Sequence, residues 1–223
     1  MGVLLSTVNC GGRICTSSLF CISSRAVPPR SLALQPGTRG RSVGRIRQAR
    51  MVTLVLGGVR SGKSRYAQLE AARFRRVTFV ATARPSDPEM RRKIAAHRRE
   101  RPAGWKTVEA SAALDVVIRR EGRRAEVLLI DCLTTYCGAL FSRSRSQSGR
   151  PGYIEALVEA IRATPASLLI VSNEVGSGVV PAFKSGRLFR DLLGEMNQAI
   201  ARVADRVVLL VAGVPIAIKG SLS

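Results

Sequence analysis

Gly57-Gly58-Val59-Arg60-Ser61-Gly62-Lys63-Ser64 is the stretch that decides the fold, because it matches the phosphate-binding-loop pattern GxxxxGK[ST] at every fixed position. It follows the apolar run Val52 to Leu56, which predicts a buried strand, and it opens a helix predicted over Ser64 to Phe74. In this order, backbone N–H groups and the helix N-terminus can point at phosphate oxygens. The sequence therefore predicts a nucleotide-binding site at residues 57–64.

Two side chains of this loop have predicted roles at a bound nucleoside triphosphate. Lys63 would bridge the β- and γ-phosphates, and the Ser64 hydroxyl would ligate Mg²⁺. A second metal ligand is expected at the end of a neighbouring buried strand, and Asp131 directly follows the apolar run Val127 to Ile130. Asp131 could instead be a turn or capping residue after that strand.

Beyond the loop, short aliphatic runs alternate with amphipathic ones, which predicts an α/β fold: a P-loop NTPase-like, mostly parallel sheet flanked by helices. The strands are predicted over Val52 to Leu56, Val77 to Ala81, Val127 to Ile130, Leu168 to Val171 and Val207 to Val211. Further helices are predicted over Glu89 to Arg99, Ala112 to Arg119 with Ser111 as a candidate cap, Ile154 to Ala163 and Phe189 to Ala204. The polar segment Ser142 to Gly152 is predicted to be a loop.

Residues 1–50 differ in composition from the rest of the chain. They contain eight arginines, neither Asp nor Glu, and many Ser, Gly and Pro residues. This composition favours a region upstream of the true start codon, is also typical of an organelle transit peptide or another targeting segment, and leaves a functional extension as a third interpretation. We expect residues 1–50 to be a disordered extension and residues 51–223 to form one nucleotide-binding domain.

The chain is strongly basic, with 36 Lys and Arg against 15 Asp and Glu. A basic potential attracts nucleic acids, but a coding sequence rich in G and C would also produce many arginines, and no reader motif accompanies them. We therefore expect no nucleic-acid partner.

No apolar run reaches the roughly 18 residues that a membrane span requires. Five cysteines without a CxxC pair, together with a single histidine, argue against zinc and favour the reduced cytoplasm.

His97 is the only histidine of the chain and lies in the helix predicted over Glu89 to Arg99. Met90, Ile94 and His97 share one helical face, which favours a partly buried structural histidine. An imidazole close to a nucleotide could instead attack phosphorus or act as a general base. The residues alone leave both interpretations open.

Four further blocks follow the phosphate loop along the chain. They are Val80-Ala81-Thr82-Ala83, the stretch from Glu89 through His97 and Arg101-Pro102-Ala103-Gly104-Trp105 to Glu109, Asp131-Cys132-Leu133-Thr134-Thr135, and Ser172 to Pro181 continued by Arg187 to Asp191 and Asn197-Gln198. With the loop, these blocks resemble the bifunctional adenosylcobinamide kinase/adenosylcobinamide-phosphate guanylyltransferase family of cobalamin biosynthesis. The resemblance extends from Met51 to Lys219 and leaves Ser142 to Gly152 without a counterpart.

The resemblance implies two successive reactions. The γ-phosphoryl group of ATP or GTP passes to the aminopropanol hydroxyl of adenosylcobinamide, and GMP from GTP is then joined to the new phosphate with release of pyrophosphate. In the family a guanylylated histidine carries the second step, and His97 occupies that motif position. The expected partners are therefore the corrinoid substrate and ATP or GTP with Mg²⁺, and the family forms small homo-oligomers.

The resemblance also implies nucleotide or metal contacts outside the loop. The residues at the matching positions are Ala81, Thr82, Ala83, Arg98, Arg99, Glu100, Arg101, Glu109 and Asp131. The block Asn173-Glu174-Val175-Gly176 follows a predicted strand, where open α/β sheets bind ligands, although it could be a glycine-rich turn. The alternative function is that of another small P-loop kinase or NTPase in which His97 is structural.

Overall fold

The computed structural model describes residues 49–83, 88–99, 101–110, 113–143 and 151–222. All of them belong to one compact unit, Ile46–Ser223. Arg50 is part of this unit, because its guanidinium donates hydrogen bonds to the carbonyl oxygens of Ile161 and Thr164. The predictions for residues 1–48, for the Ser111 cap and for Glu100 lie outside the described residues.

Seven strands and six helices make up the described part of the unit. The strands are β1 (Val52–Gly57), β2 (Val77–Ala81), β3 (Lys106–Glu109), β4 (Val127–Asp131), β5 (Ser167–Val171), β6 (Arg206–Val211) and β7 (Val214–Lys219). The helices are α1 (Lys63–Ala71), α2 (Pro88–Arg99), α3 (Leu114–Glu121), α4 (Leu133–Arg143), α5 (Pro151–Ala163) and α6 (Lys184–Val203). None of the described helices is both long and apolar enough to cross a bilayer.

The strands form one sheet in the order β3-β2-β4-β5-β1-β6-β7. All neighbouring pairs are parallel except β6 and β7, which form an antiparallel hairpin. The predicted fold class, a mostly parallel sheet flanked by helices, is confirmed. One consequence of this order is that β5 lies between β1, which leads into the phosphate loop, and β4, which ends at Asp131.

Apolar side chains cover both faces of the central strands, which explains why these strands read as continuous aliphatic runs. Along β4, Leu128 and Ile130 pack on the face covered by α3, α4, α5 and α6, whereas Val127 and Leu129 pack on the face covered by α1. Each strand is thus held in register by two apolar layers, and its carboxyl end is fixed where the functional residues begin.

The structure contains all five predicted strands. It also contains two edge strands and one helix that the sequence pattern did not predict. β3 has the sequence Lys-Thr-Val-Glu with mostly exposed side chains, and β7 contains Pro215 and is also mostly exposed, so neither has the apolar composition of a buried strand. The missed helix is α4, whose buried positions Leu133, Tyr136, Cys137 and Leu140 do follow a helical period.

The boundaries of several elements also correct the prediction. The segment Ser142 to Gly152 is not entirely loop, because α4 continues to Arg143 and α5 begins at Pro151. Helix α6 begins at Lys184 rather than at Phe189, and α1 ends at Ala71 rather than at Phe74. Helix α3 begins at Leu114, with Ala113 in the N-cap position.

Candidate active site

The phosphate loop joins β1 to α1, as predicted, and two of its glycines are required by close packing. A Cβ atom on Gly57 would lie 2.8 Å from the carbonyl oxygen of Leu210, which is closer than real Cβ atoms come to backbone. Gly62 occupies the N-cap of α1 with a φ of 92°, a conformation that other residues rarely adopt. By contrast, Gly58 has nothing within 4 Å of a Cβ position.

The turn between β6 and β7 supports this loop from the neighbouring strand. The N–H of Gly213 donates a hydrogen bond of 2.9 Å to the carbonyl of Ser61. A Cβ atom on Gly62 would lie 3.2 Å from the Cα of Gly213. The loop and the turn are therefore packed backbone against backbone.

Lys63 and Ser64 stand at the start of α1, where the loop ends. The Lys63 ammonium donates a 2.8 Å hydrogen bond to the carbonyl of Gly58, so it spans the loop. Burial lowers the pKa of Lys63 from its ordinary value, whereas the nearby Cys132 and Asp131 act in the opposite direction. The Ser64 hydroxyl lies 3.4 Å from Asp131 Oδ1.

The Ser64 and Asp131 oxygens are close enough to share one Mg²⁺. Oxygen ligands about 2.1 Å from the same Mg²⁺ lie at most about 4.2 Å apart, so the observed separation fits. Mg²⁺ in phosphoryl-transfer sites is held by one or two protein ligands and by substrate phosphates. The two predicted metal ligands thus fit such a site, although they are distant in sequence.

A cleft of about 790 Å³ opens beside the phosphate loop and gathers most of the predicted site residues. We call it the main cleft. Its lining includes Val59, Arg60, Lys63, Ser64, Ala81, Ala83, Arg98, Arg101, Glu109 and Asp131. These residues come from the loop, from α2 and from the ends of β2, β3 and β4, so the sheet topology places the predicted positions at one edge.

Helix α2 presents one face to the main cleft. Arg91, Ile94, Ala95 and Arg98 line the cleft at the spacing of a single helical face. Arg99 follows Arg98 on α2 and is exposed. His97 lies in the same helix, next to Arg98, but its side chain is outside the described part of the structure. Its predicted role stays a prediction.

Two arginines of the main cleft have defined partners. Arg98 pairs with Glu109 at 3.4 Å, and both side chains are more than half exposed, so this ion pair contributes little stability. Arg101 stacks over the Phe79 ring with 3.4 Å between its guanidinium carbon and the ring centroid. Burial lowers the pKa of Arg101, and its Nε has no hydrogen-bond partner within the described structure. Arg101 is therefore held over the Phe79 ring, and its role as a nucleotide contact stays a prediction.

Thr82 fixes the chain just after Asp131. Its hydroxyl donates to the carbonyl of Cys132 at 2.7 Å and accepts from the N–H of Cys132 at 2.9 Å. The Thr135 hydroxyl also donates to the Cys132 carbonyl at 3.0 Å. Thr82 is almost fully buried. Its described hydrogen bonds hold the peptide next to the carboxylate, and its role as a nucleotide contact stays a prediction.

The main cleft also contains residues outside the predicted set of catalytic, nucleotide and metal contacts. Cys132 and Thr135 follow Asp131, Arg91 and Ile94 belong to α2, and Asn173 follows β5. For Asn173 the signal was its position after a predicted strand. For Arg91 and Ile94 the available signal is their helical spacing with Arg98.

Comparison with known proteins identifies the family of the chain. Residues 53–218 match the model of the family described as cobinamide kinase / cobinamide phosphate guanyltransferase. The chain belongs to this family.

Curated members of the family match the chain over nearly their whole length. The chain is 43% identical over 171 residues to the bifunctional adenosylcobalamin biosynthesis protein CobP of Pseudomonas aeruginosa, covering 76% of this chain and 98% of that protein. It is 36% identical over 181 residues to the bifunctional adenosylcobalamin biosynthesis protein CobU of Escherichia coli, covering 76% of this chain and 100% of that protein. The predicted membership and the predicted bifunctional kinase and guanylyltransferase activity are confirmed at the level of the family.

Among solved structures, an ATPase from the type III secretion system of pathogenic bacteria aligns with a TM-score of 0.46 and 12% identity. The alignment covers 71% of this chain and 50% of that one.

Proposed function

We propose that this cobinamide kinase and guanylyltransferase performs both steps in the main cleft, with His97 as the residue that is guanylylated. The observation that carries the proposal is the convergence of the phosphate loop, Asp131 and the α2 face carrying Arg98 on one cleft. A nucleoside triphosphate held by the loop would have its phosphates beside the helix that contains the only histidine of the chain.

In the kinase step, the loop N–H groups and Lys63 would hold the β- and γ-phosphates of ATP or GTP. The aminopropanol hydroxyl of adenosylcobinamide attacks the γ-phosphorus, the bond to the β–γ bridging oxygen breaks, and the nucleoside diphosphate leaves. Ser64 and Asp131 would hold Mg²⁺, which neutralises charge on the phosphates when bound. Phosphoryl transfer requires mainly positioning and charge stabilisation, which this loop and its flanking cations can supply.

In the guanylyl step, a neutral imidazole nitrogen of His97 attacks the α-phosphorus of GTP. The bond between this phosphorus and the α–β bridging oxygen breaks, and pyrophosphate leaves. A phosphate oxygen of adenosylcobinamide phosphate then attacks the same phosphorus, the P–N bond breaks, and adenosylcobinamide-GDP forms. Arg98 and Arg101 line the cleft beside this helix, and we propose that they offset charge at the reacting phosphorus.

Incubation of the purified chain with GTP labelled at the α-phosphorus tests the histidine directly. We expect a protein-bound label that is stable in alkali, labile in acid and absent from His97→Ala. The alternative, another small P-loop kinase or NTPase with a structural histidine, predicts nucleotide turnover without this label. A label that persists in His97→Ala would contradict our assignment.

We also propose that the enzyme acts in the cytoplasm as a homo-oligomer, and that β7 supplies the contact between copies. Val214, Ile216 and Ile218 alternate along this edge strand with about half or more of each side chain exposed. The chain has a formal net charge of +21, which favours repulsion between copies. β7 carries only Lys219 as a charged residue, which makes it a suitable surface for a second copy.

A further inference from the structure

We propose that Asn173 contacts the γ-phosphoryl group and the attacking hydroxyl in the kinase step, and that the guanylyl step does not depend on it. This inference rests on the proposed function, because it divides the two reactions of that cleft between different residues. It assigns a role to the polar segment after β5, which neither the loop motif nor the predicted metal ligands explain.

The sheet order places Asn173 between the two halves of the phosphate site. Val171, the last residue of β5, is in register with Val55 on β1 and with Asp131 on β4. Two residues further on, Asn173 lies level with the start of the phosphate loop, and the N–H of Glu174 donates a 3.1 Å hydrogen bond to the carbonyl of Gly57. Asn173 lines the main cleft together with Lys63 and Asp131.

The backbone of Asn173 is fixed from two sides. Its N–H donates a 3.0 Å hydrogen bond to the Thr134 hydroxyl at the start of α4. Its carbonyl accepts a 3.1 Å hydrogen bond from Nδ2 of Asn197, a buried residue of α6. These contacts use only main-chain atoms of Asn173, so they position the residue and leave its carboxamide for another partner.

The carboxamide oxygen of Asn173 is buried and has no hydrogen-bond partner within the described structure. Buried polar atoms without a partner are rare, because losing their water contacts costs about 1–3 kcal/mol. A ligand that reaches the inner wall of the main cleft would supply the missing partner. The residue thus has the position and the free hydrogen-bonding capacity of a ligand contact.

A carboxamide matches the two groups that meet in the kinase step. Its oxygen can accept a hydrogen bond from the acceptor hydroxyl, and its NH₂ can donate to an oxygen of the γ-phosphoryl group. The hydroxyl oxygen forms the new bond to γ-phosphorus while the bond from γ-phosphorus to the β–γ bridging oxygen breaks. The hydroxyl proton passes to solvent, and the protonation of Asn173 does not change. Its contribution is alignment of the two groups. In guanylyl transfer the reacting α-phosphorus lies two phosphoryl groups away, and the γ-phosphoryl group leaves within pyrophosphate without a change in its own bonds, so loss of this contact should affect that step little.

The test measures the two half-reactions separately in the full chain. Phosphorylation is followed with adenosylcobinamide and GTP labelled at the γ-phosphorus, and guanylyl transfer is followed with adenosylcobinamide phosphate made beforehand. For Asn173→Ala we expect the kinase kcat to fall by about 10²-fold, as for loss of one aligned donor, while guanylyl transfer stays near the wild-type rate. Asn173→Asp should be at least as poor a kinase, because its charge repels the γ-phosphoryl group.

Ser172→Ala is the matched control. The Ser172 hydroxyl is also buried without a partner in the described structure, but Ser172 belongs to the opposite face of the β5 segment, so both activities should be retained. Equal losses of both activities in Asn173→Ala, or a retained kinase rate in Asn173→Asp, would overturn the inference. Thermal unfolding of each variant separates a folding defect from a catalytic one. Absence of both activities in the wild-type chain would instead refute the proposed function.

Discussion

Ser64 Oγ lies 3.4 Å from Asp131 Oδ1, although 67 residues separate them in the chain. This relationship predicts a shared metal ion. We expect Ser64→Ala and Asp131→Asn each to raise the Mg²⁺ concentration for half-maximal kinase activity by about tenfold or more. In the double variant this Mg²⁺ concentration should rise by less than the product of the two single-variant increases, because both residues act on one ion. Independent effects in a titration of kinase rate against Mg²⁺ would contradict a shared site.

Lys63 is predicted to serve both reactions through the phosphates. Lys63→Ala should lower the kinase and guanylyl-transfer rates by about 10²-fold or more, because it removes a cation that stabilises the transferring and leaving phosphates. Lys63→Arg should not restore either activity, since its planar group does not fit a loop shaped for a compact ammonium. Measurement of the two half-reactions tests this prediction, and a variant that keeps a full kinase rate would disprove it.

Gly57 and Gly58 form a natural pair for a stability experiment. Gly57→Ala should lower the free energy of unfolding by about 1–3 kcal/mol, because the added methyl group meets the Leu210 carbonyl. Gly58→Ala should change it much less, since a Cβ atom there has open space. Urea unfolding of both variants provides the comparison, and equal destabilisation would contradict the packing described for Gly57.

The ion pairs of Glu121 predict that the free energy of unfolding depends on pH. Its carboxylate is almost completely buried and lies 2.6 Å from Lys106 Nζ and 2.8 Å from Arg120 Nε. The hydrogen bond from Lys106 is the main cause that lowers the Glu121 pKa below its ordinary value of 4.5, against the effect of burial. A carboxyl with a lowered pKa in the folded state stabilises the protein above its unfolded-state pKa, and that contribution is lost as pH falls through the folded-state value.

We therefore expect Glu121→Gln to lower the free energy of unfolding by about 1–3 kcal/mol at neutral pH, with a difference that shrinks below pH 4.5. Glu159→Gln is the control, because its ion pair with Arg119 is largely exposed and should contribute little at any pH. Urea titrations across this pH range measure both variants. A Glu121→Gln difference that is constant with pH would rule out the ion pair as its cause.

The proposed contact between copies predicts that Ile216→Asp lowers the oligomeric state. Burying a carboxylate at an apolar interface is unfavourable, so association should weaken while the fold of the monomer is kept. Light scattering after gel filtration measures the mass of the particle. Val59→Asp introduces the same charge at another exposed apolar residue and should leave the mass unchanged. Wild-type and Ile216→Asp particles of equal mass would refute a β7 interface.

The central fold could be predicted from the sequence because its strands are buried on both faces. Val127–Asp131 and Ser167–Val171 are aliphatic runs with few other interpretations. The edge strand β3 could not be found in this way, since it gains its place from pairing with β2 and from the contact of Lys106 with Glu121, which are distant in sequence. The β6–β7 hairpin was also missed, because its turn has Ala212 with a φ of 50° where Asn or Asp would be the usual signal.

The candidate site likewise contains some residues that the sequence predicts and others that only the structure reveals. The loop motif identified Lys63 and Ser64, since its function depends on local spacing. The approach of Asp131 to Ser64 depends on the sheet order, and strand order does not follow from the pattern of apolar residues. The free carboxamide oxygen of Asn173 is visible only in three dimensions, because it depends on which neighbouring atoms have other partners.

The turn at Gly213 has a consequence for how the protein is made. The phosphate loop lies near the start of the folded unit, whereas the turn whose N–H binds the Ser61 carbonyl is much later in the chain. Because a ribosome makes the loop before the turn, a nascent chain contains the whole loop sequence well before the support of that loop exists. We therefore expect the phosphate loop to reach its final shape only after the β6–β7 hairpin has been made, and loss of this hairpin should impair a site whose motif it leaves intact.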